Sequence, residues 1–243
     1  MFGFGKWRTI ATALQKLIAD KEDTKQVFII LQAMGRRSGI RSYKRFLKNA
    51  NAEKILTADK PLVSYLKDRD WLAAQAEGSL GRAYLDFTTT EQISADGLTQ
   101  ASVDGGGASS ELTDKHLLFS ERQRDAHDLW HVVTGYGRDG LGELALLAFT
   151  WRQLGNPGIL MIIAMGYHAS MREAPQLKIG KAIREGFSMG RRTAWLPAAD
   201  WEYLLTRPIN EVRRTLNITP PDAYNAMADQ VREFERAALA AAE

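Results

Sequence analysis

Apolar residues recur along this chain every three or four positions, and no convincing run of them alternates. That spacing is what most restricts the fold. Trp7, Ile10, Ala11, Leu14, Leu17 and Ile18 trace one such face, the repeat of an amphipathic helix, whereas a half-buried strand needs a repeat of two. A second helix is expected from Thr24, which is placed to cap it, through Val27, Phe28, Ile30 and Leu31 to Met34, closing at Gly35. Tyr43–Leu47 and Pro61–Ala76 read as further helices. Helical periodicity dominates again from His127 to Phe149, interrupted by Gly135, Gly137 and Gly140, and a helix follows over Ile159–Met171. Pro208–Leu216 and Asp222–Ala240 complete the set. Thr219, Pro220 and Pro221 mark the start of the last one, and Tyr224, Met227, Val231, Phe234 and Ala238 share a stripe of it. The expectation is an all-α, bundle-like fold forming a single domain over residues 1–243.

One segment departs from this pattern. Residues 88–110 are mostly Thr, Ser, Ala, Asp and Gly, with Gly105-Gly106-Gly107 near the end. Little there can enter a core, so a flexible surface loop is expected.

Composition enters through what it removes. The chain has no cysteine, which excludes a disulfide framework, thiolate zinc sites, iron–sulfur clusters and cysteine nucleophiles. Any metal must therefore be held by nitrogen and oxygen ligands. The net charge of +3 over 243 residues is too mild to argue for nucleic-acid binding, which concentrates positive charge on one face. The positive charge is nevertheless uneven: Arg36, Arg37, Arg41, Lys44, Arg45 and Lys48 follow one another with no acidic residue between them. Such a run is either a solvated face or a contact with anionic lipid or a partner, and Phe2, Phe4 and Trp7 would assist a membrane contact. The most apolar run, Ile159–Gly166, falls far short of the ~20 residues that span a bilayer. The N-terminal segment has neither a cleavable signal pattern nor a clear transit-peptide composition.

Half of the four histidines lie within five residues. At about 100° per residue, His127, Asp128 and His131 leave a helix at about 0°, 100° and 40°, inside an arc of about 100°. Two imidazoles and a carboxylate converging there suit zinc or non-haem iron, manganese or cobalt. Glu143 is twelve residues beyond His131. Continuous helix would carry it about 120° away, but the intervening glycines suggest a break after which Glu143 opens a second helix folded back on the first. The metal-motif core is thus residues 122–155, a helix, a Gly-rich turn and a helix. From spacing alone, polar residues satisfied on a buried face remain an equal alternative, although burying two carboxylates beside two histidines is costly without a cation.

The string His127-Asp128-Leu129-Trp130-His131, eleven residues, then Glu143 resembles the signature of the coenzyme Q biosynthesis protein four family, the Coq-four proteins. Arg122-Gln123-Arg124-Asp125-Ala126 is similar to the lead-in of that signature, and Gly142-Glu143 to its Gly-Glu pair. Ser79–Tyr84, Trp201-Glu202 and Pro208–Ile218 resemble flanking family segments. The likeness runs from Gly78 to Pro221, with a looser N-terminal helical part. It implies an all-α fold with a divalent metal, zinc or iron with manganese or cobalt as alternatives, held by His127, Asp128, His131 and Glu143. It also implies ubiquinone biosynthesis, with oxidative decarboxylation of a polyprenylated ring intermediate: carboxylate removal and hydroxylation at the same carbon. The alternative is a non-catalytic, isoprenoid-binding scaffold that organises other quinone-biosynthesis enzymes at a membrane. Leu144–Phe149, Leu160–Ile163 and the stripe of Tyr224, Met227 and Phe234 would then form a prenyl trough, unless they are ordinary core. Expected partners are a polyprenylated quinone precursor, other enzymes of the pathway and a peripheral membrane surface, with no nucleic acid and a homodimer left open. The expected location is the bacterial cytoplasm, peripheral on the inner membrane, or the matrix face of the mitochondrial inner membrane in a eukaryote.

Three smaller readings remain. His116 is expected to be exposed, and His168 to satisfy a buried hydrogen bond. Gly186–Gly190 is too loose for a phosphate loop, since no Lys-Ser/Thr pair follows it.

Overall fold

The computed structural model describes residues 4–19, 23–93 and 113–240. Fourteen α-helices form among them, and no β-strand. They are α1 (Phe4–Ala19), α2 (Thr24–Phe46), α3 (Ala52–Leu56), α4 (Leu62–Lys67), α5 (Arg69–Ala73), α6 (Leu80–Thr90), α7 (Asp114–Asp125), α8 (His127–Thr134), α9 (Gly140–Leu154), α10 (Pro157–Glu173), α11 (Gly180–Arg192), α12 (Trp201–Leu204), α13 (Ile209–Leu216) and α14 (Asp222–Ala240). The all-α class read from the periodicity is the observed one.

Three boundaries differ from the sequence reading. Gly35 does not close a helix: α2 runs through it to Phe46. A Cβ at Gly35 would strike the Asn156 side chain, whose Nδ2 donates to the Leu31 carbonyl at 3.0 Å. This glycine therefore makes room for a crossing, and packing outweighs its low helix propensity. Pro61–Ala76 is two helices. Asp68 divides them and caps α5, accepting from the Trp71 N–H at 2.9 Å. The expected 88–110 loop begins later than expected, since α6 continues to Thr90, and residues 94–112 lie outside the described residues.

The main core is built around α9. Leu141, Leu144, Ala145, Leu146, Ala148 and Phe149 are buried, so the apolar run proposed as a prenyl trough is interior here. Ile162, Ile163 and Tyr224 are buried as well, and Met227 packs against the same core; the Phe234 side chain lies outside the described residues. α11 crosses α9 closely. A Cβ at Gly186 would run into the Ala145 carbonyl, and one at Gly190 into that of Phe149, so the glycine pair dismissed as a phosphate loop is a packing face. Arg122 of α7 forms a two-pronged ion pair with Glu202 of α12 at 2.5 and 2.6 Å and donates to the Ala199 carbonyl at 3.0 Å, tying the segment before the histidine motif to the C-terminal third.

The two remaining histidines are the reverse of expectation in burial. His116 is buried and stacks on Tyr43 with ring centres 4.4 Å apart, and Tyr43 in turn packs against Phe46 and Phe119. His168 is exposed on α10. No helix among the described residues is long and apolar enough to cross a membrane.

Candidate metal centre

The turn between α8 and α9 brings the motif together. α8 ends at Gly135, whose φ of 80° is a left-handed conformation that glycine adopts without a Cβ clash. Arg213 of α13 closes the same helix end, its guanidinium donating to the carbonyls of Val132 and Val133, each at 3.0 Å, and a cation there also suits the helix dipole. α9 starts on Asp139, whose Oδ1 accepts from the Gly142 N–H at 2.9 Å. A Cβ at Gly142 would collide with the Gly137 carbonyl, so only glycine lets the new helix start this close to the turn. Glu143 then falls in the first turn of α9.

His127, His131 and Glu143 converge, each offering one ligand atom, and these atoms lie within 4.8 Å of one another. The two imidazoles meet edge to face, with ring centres 4.9 Å apart. His131 is fully buried. Its Nδ1 lies 2.9 Å from the Tyr136 carbonyl; a carbonyl only accepts, so this contact places the proton on Nδ1 and frees Nε2 as a donor of electrons. Nε2 is buried without a hydrogen-bond partner and stands 3.4 Å from Glu143 Oε1. A buried, unsatisfied ring nitrogen beside a carboxylate and a second imidazole fits a divalent metal ligated by nitrogen and oxygen.

Asp128 is placed differently. It is buried, and its Oδ1 lies 3.2 Å from His127 Nδ1, outside the converging group. In this position it orients the His127 ring and leaves Nε2 for ligation, the carboxylate–histidine arrangement common behind metal ligands. The electrostatics follow the same geometry. Burial lowers the His131 pKa, but the Glu143 carboxylate and the Tyr136 carbonyl outweigh it, so the net shift is upward. Burial likewise raises Glu143, and the charge of His131 outweighs that and holds it below its usual range.

Sequence reasoning missed several groups around this centre. Phe87 of α6 stacks on His131 with ring centres 5.7 Å apart. Tyr84, one helical turn earlier, buries a hydroxyl without a hydrogen-bond partner, and burial followed by the charges of Asp128 and Asp125 pushes its pKa up. Asp139 was legible as an aspartate just before a helix start. Phe87 and Tyr84 had no such local signal, because their approach depends on how α6 packs against α8. All six basic residues of the Arg36–Lys48 run are exposed, far along the chain from the histidine motif; Arg45 also lies over the Trp195 ring at 4.3 Å.

Comparison with known proteins places this geometry in context. The model of the family described as Coenzyme Q (ubiquinone) biosynthesis protein Coq4 matches residues 5–222. The mitochondrial ubiquinone biosynthesis protein COQ4 of Yarrowia lipolytica is 28% identical over 196 residues, which span 78% of this chain and 70% of that protein. The mitochondrial coq-4 protein of Caenorhabditis elegans is 25% identical over 79% of this chain and 82% of its own length. A solved Nostoc punctiforme structure shares the fold, with a TM-score of 0.63 and 21% identity over 86% of this chain and 95% of that one.

Proposed function

The chain belongs to the coenzyme Q (ubiquinone) biosynthesis protein Coq4 family, and on that premise we propose that it binds a divalent metal at His127, His131 and Glu143 and there carries out the oxidative decarboxylation of a polyprenylated ring intermediate. The observation that carries this reading is the convergence of three ligand atoms around a buried His131 Nε2 that has no hydrogen-bond partner. When bound, zinc, iron, manganese or cobalt supplies a Lewis acid for a ring hydroxyl, and the redox-active ions add one-electron chemistry toward dioxygen, the oxidant that hydroxylation requires. The chain's own part is positioning. The Tyr136 carbonyl fixes the tautomer of His131, Asp128 fixes the His127 ring, and Glu143 supplies the charge that offsets the cation. Phe87 stacks against one face of His131.

Elemental analysis of protein purified without added metal, followed by turnover assays with defined metals and a prenylated hydroxybenzoate, tests the proposal. The expected result is a stoichiometric metal that His131→Ala abolishes, with turnover restored on reloading. Absence of turnover with every metal, while His127→Ala still complements a deletion strain, would overturn the enzymatic reading in favour of a scaffold. The exposed basic face of α2, with Ile40 and Leu47 also exposed among its charges, supports a peripheral contact with an anionic membrane in either case.

A further inference from the structure

We infer that Tyr224, on the C-terminal helix α14, is a positioning residue of the His127–His131–Glu143 centre; the inference rests on the metal reading proposed above. The backbone between α8 and α9 governs two of the ligands at once. Its Tyr136 carbonyl holds His131, and its Asp139 side chain starts the helix that presents Glu143. This turn contains Gly135 and Gly137 and has little intrinsic stiffness. Tyr224 supplies the stiffness from outside. Its hydroxyl accepts from the Gly137 N–H at 3.0 Å and donates to Asp139 Oδ2. The Asp139 carboxylate is therefore shared, one oxygen capping α9 and the other engaging α14. The rings of Tyr136 and Tyr224 meet edge to face with centres 5.6 Å apart, and Pro221 packs against Gly135.

The clamp is itself anchored. Glu185 of α11 accepts from the N–H groups of Ala223 and Tyr224 at 2.8 and 3.2 Å, and Ala228 and Val231 are buried in the main core. Tyr224 lies beyond the family-matched residues, so the clamp comes from a part of the chain that the family match does not reach.

The test is Tyr224→Phe in the full chain. Metal-stripped protein is titrated with Co²⁺ and separately with Zn²⁺, the Co²⁺ absorption bands report coordination geometry, and thermal melts report the fold. Affinity should fall about 10–100-fold, the range for losing a group that orients a ligand, with altered Co²⁺ bands in a folded protein. Asp139→Asn keeps a capping oxygen and removes the charged acceptor, so it should weaken metal binding in the same direction and serves if Tyr224→Phe does not fold. Met227→Ala, on the same helix and packed against the core, should lower Tm without changing affinity. Wild-type affinity and spectrum in Tyr224→Phe would overturn the inference while leaving the metal site standing. An equal loss of affinity in Met227→Ala would reduce Tyr224 to a packing role. A wild-type chain that takes up neither ion would overturn the metal reading and this role together.

Discussion

At His131, burial and ligation act in opposite directions. Burial disfavours an imidazolium, yet Glu143 beside it outweighs burial and raises the pKa above the ordinary 6.5, so a proton competes with a cation for this nitrogen. A raised histidine pKa contributes stability that is complete below the unfolded value and is lost as pH rises through the folded value. The metal-free chain should therefore lose stability as pH rises above 6.5, whereas metal affinity should increase over the same interval because the proton no longer competes. Calorimetry in two buffers of different ionisation enthalpy checks this: uptake should release a proton, and His131→Ala should remove both the release and the binding. Gly142 makes the second prediction at this scale. A Cβ there meets backbone at Gly137, which cannot rotate away as a side chain can. Gly142→Ala should destabilise the fold by about 1–3 kcal/mol and weaken metal binding as well, seen as a parallel fall in denaturation midpoint and Co²⁺ affinity.

At the level of elements, the α9–α11 crossing holds the helix that carries Glu143. Gly186 and Gly190 lie one turn apart and face the carbonyls of Ala145 and Phe149, so the two helices approach to backbone contact. Gly186→Leu should pry them apart, costing about 1–3 kcal/mol or more as overpacking; urea unfolding measures it, and an unchanged midpoint would mean that α11 can shift freely. Helices were legible wherever an apolar stripe ran unbroken, as in α10 and α14. Glycine misled at Gly35 because a helix stop and a close crossing use the same residue, and the choice depends on Asn156, 121 positions away. Histidine misled in a similar way. His116 follows a polar segment, but the Tyr43 ring that buries it comes from α2.

Considered whole, the molecule separates its two proposed contacts: a half-buried nitrogen–oxygen cluster around the buried His131 and an exposed basic arc along and just beyond the C-terminal part of α2. Arg36, Ile40 and Lys44 lie within about a quarter turn of one another on the helical projection, with Arg37, Arg41 and Arg45 on the adjoining quarter, and Leu47 and Lys48 follow just past the helix end. Each basic group near an anionic surface adds about 1 kcal/mol. Arg41→Glu combined with Lys44→Glu should therefore abolish flotation with anionic liposomes at low salt and leave metal content unchanged. Flotation indifferent to lipid charge and to salt would rule the face out.

By itself, the sequence determined the helical class, the nitrogen-and-oxygen chemistry open to any metal site, and the motif whose His127, His131 and Glu143 converge in the fold. Period, the missing cysteines and a short motif are local properties, and they survive without knowledge of the fold. Only the tertiary structure decided that Asp128 stands behind His127, that Phe87 stacks on His131 and that Tyr224 clamps the turn. Each of those depends on side chains from separate helices meeting within a few ångströms. Such meetings are set by close packing of the core around α9, which no spacing along the chain encodes.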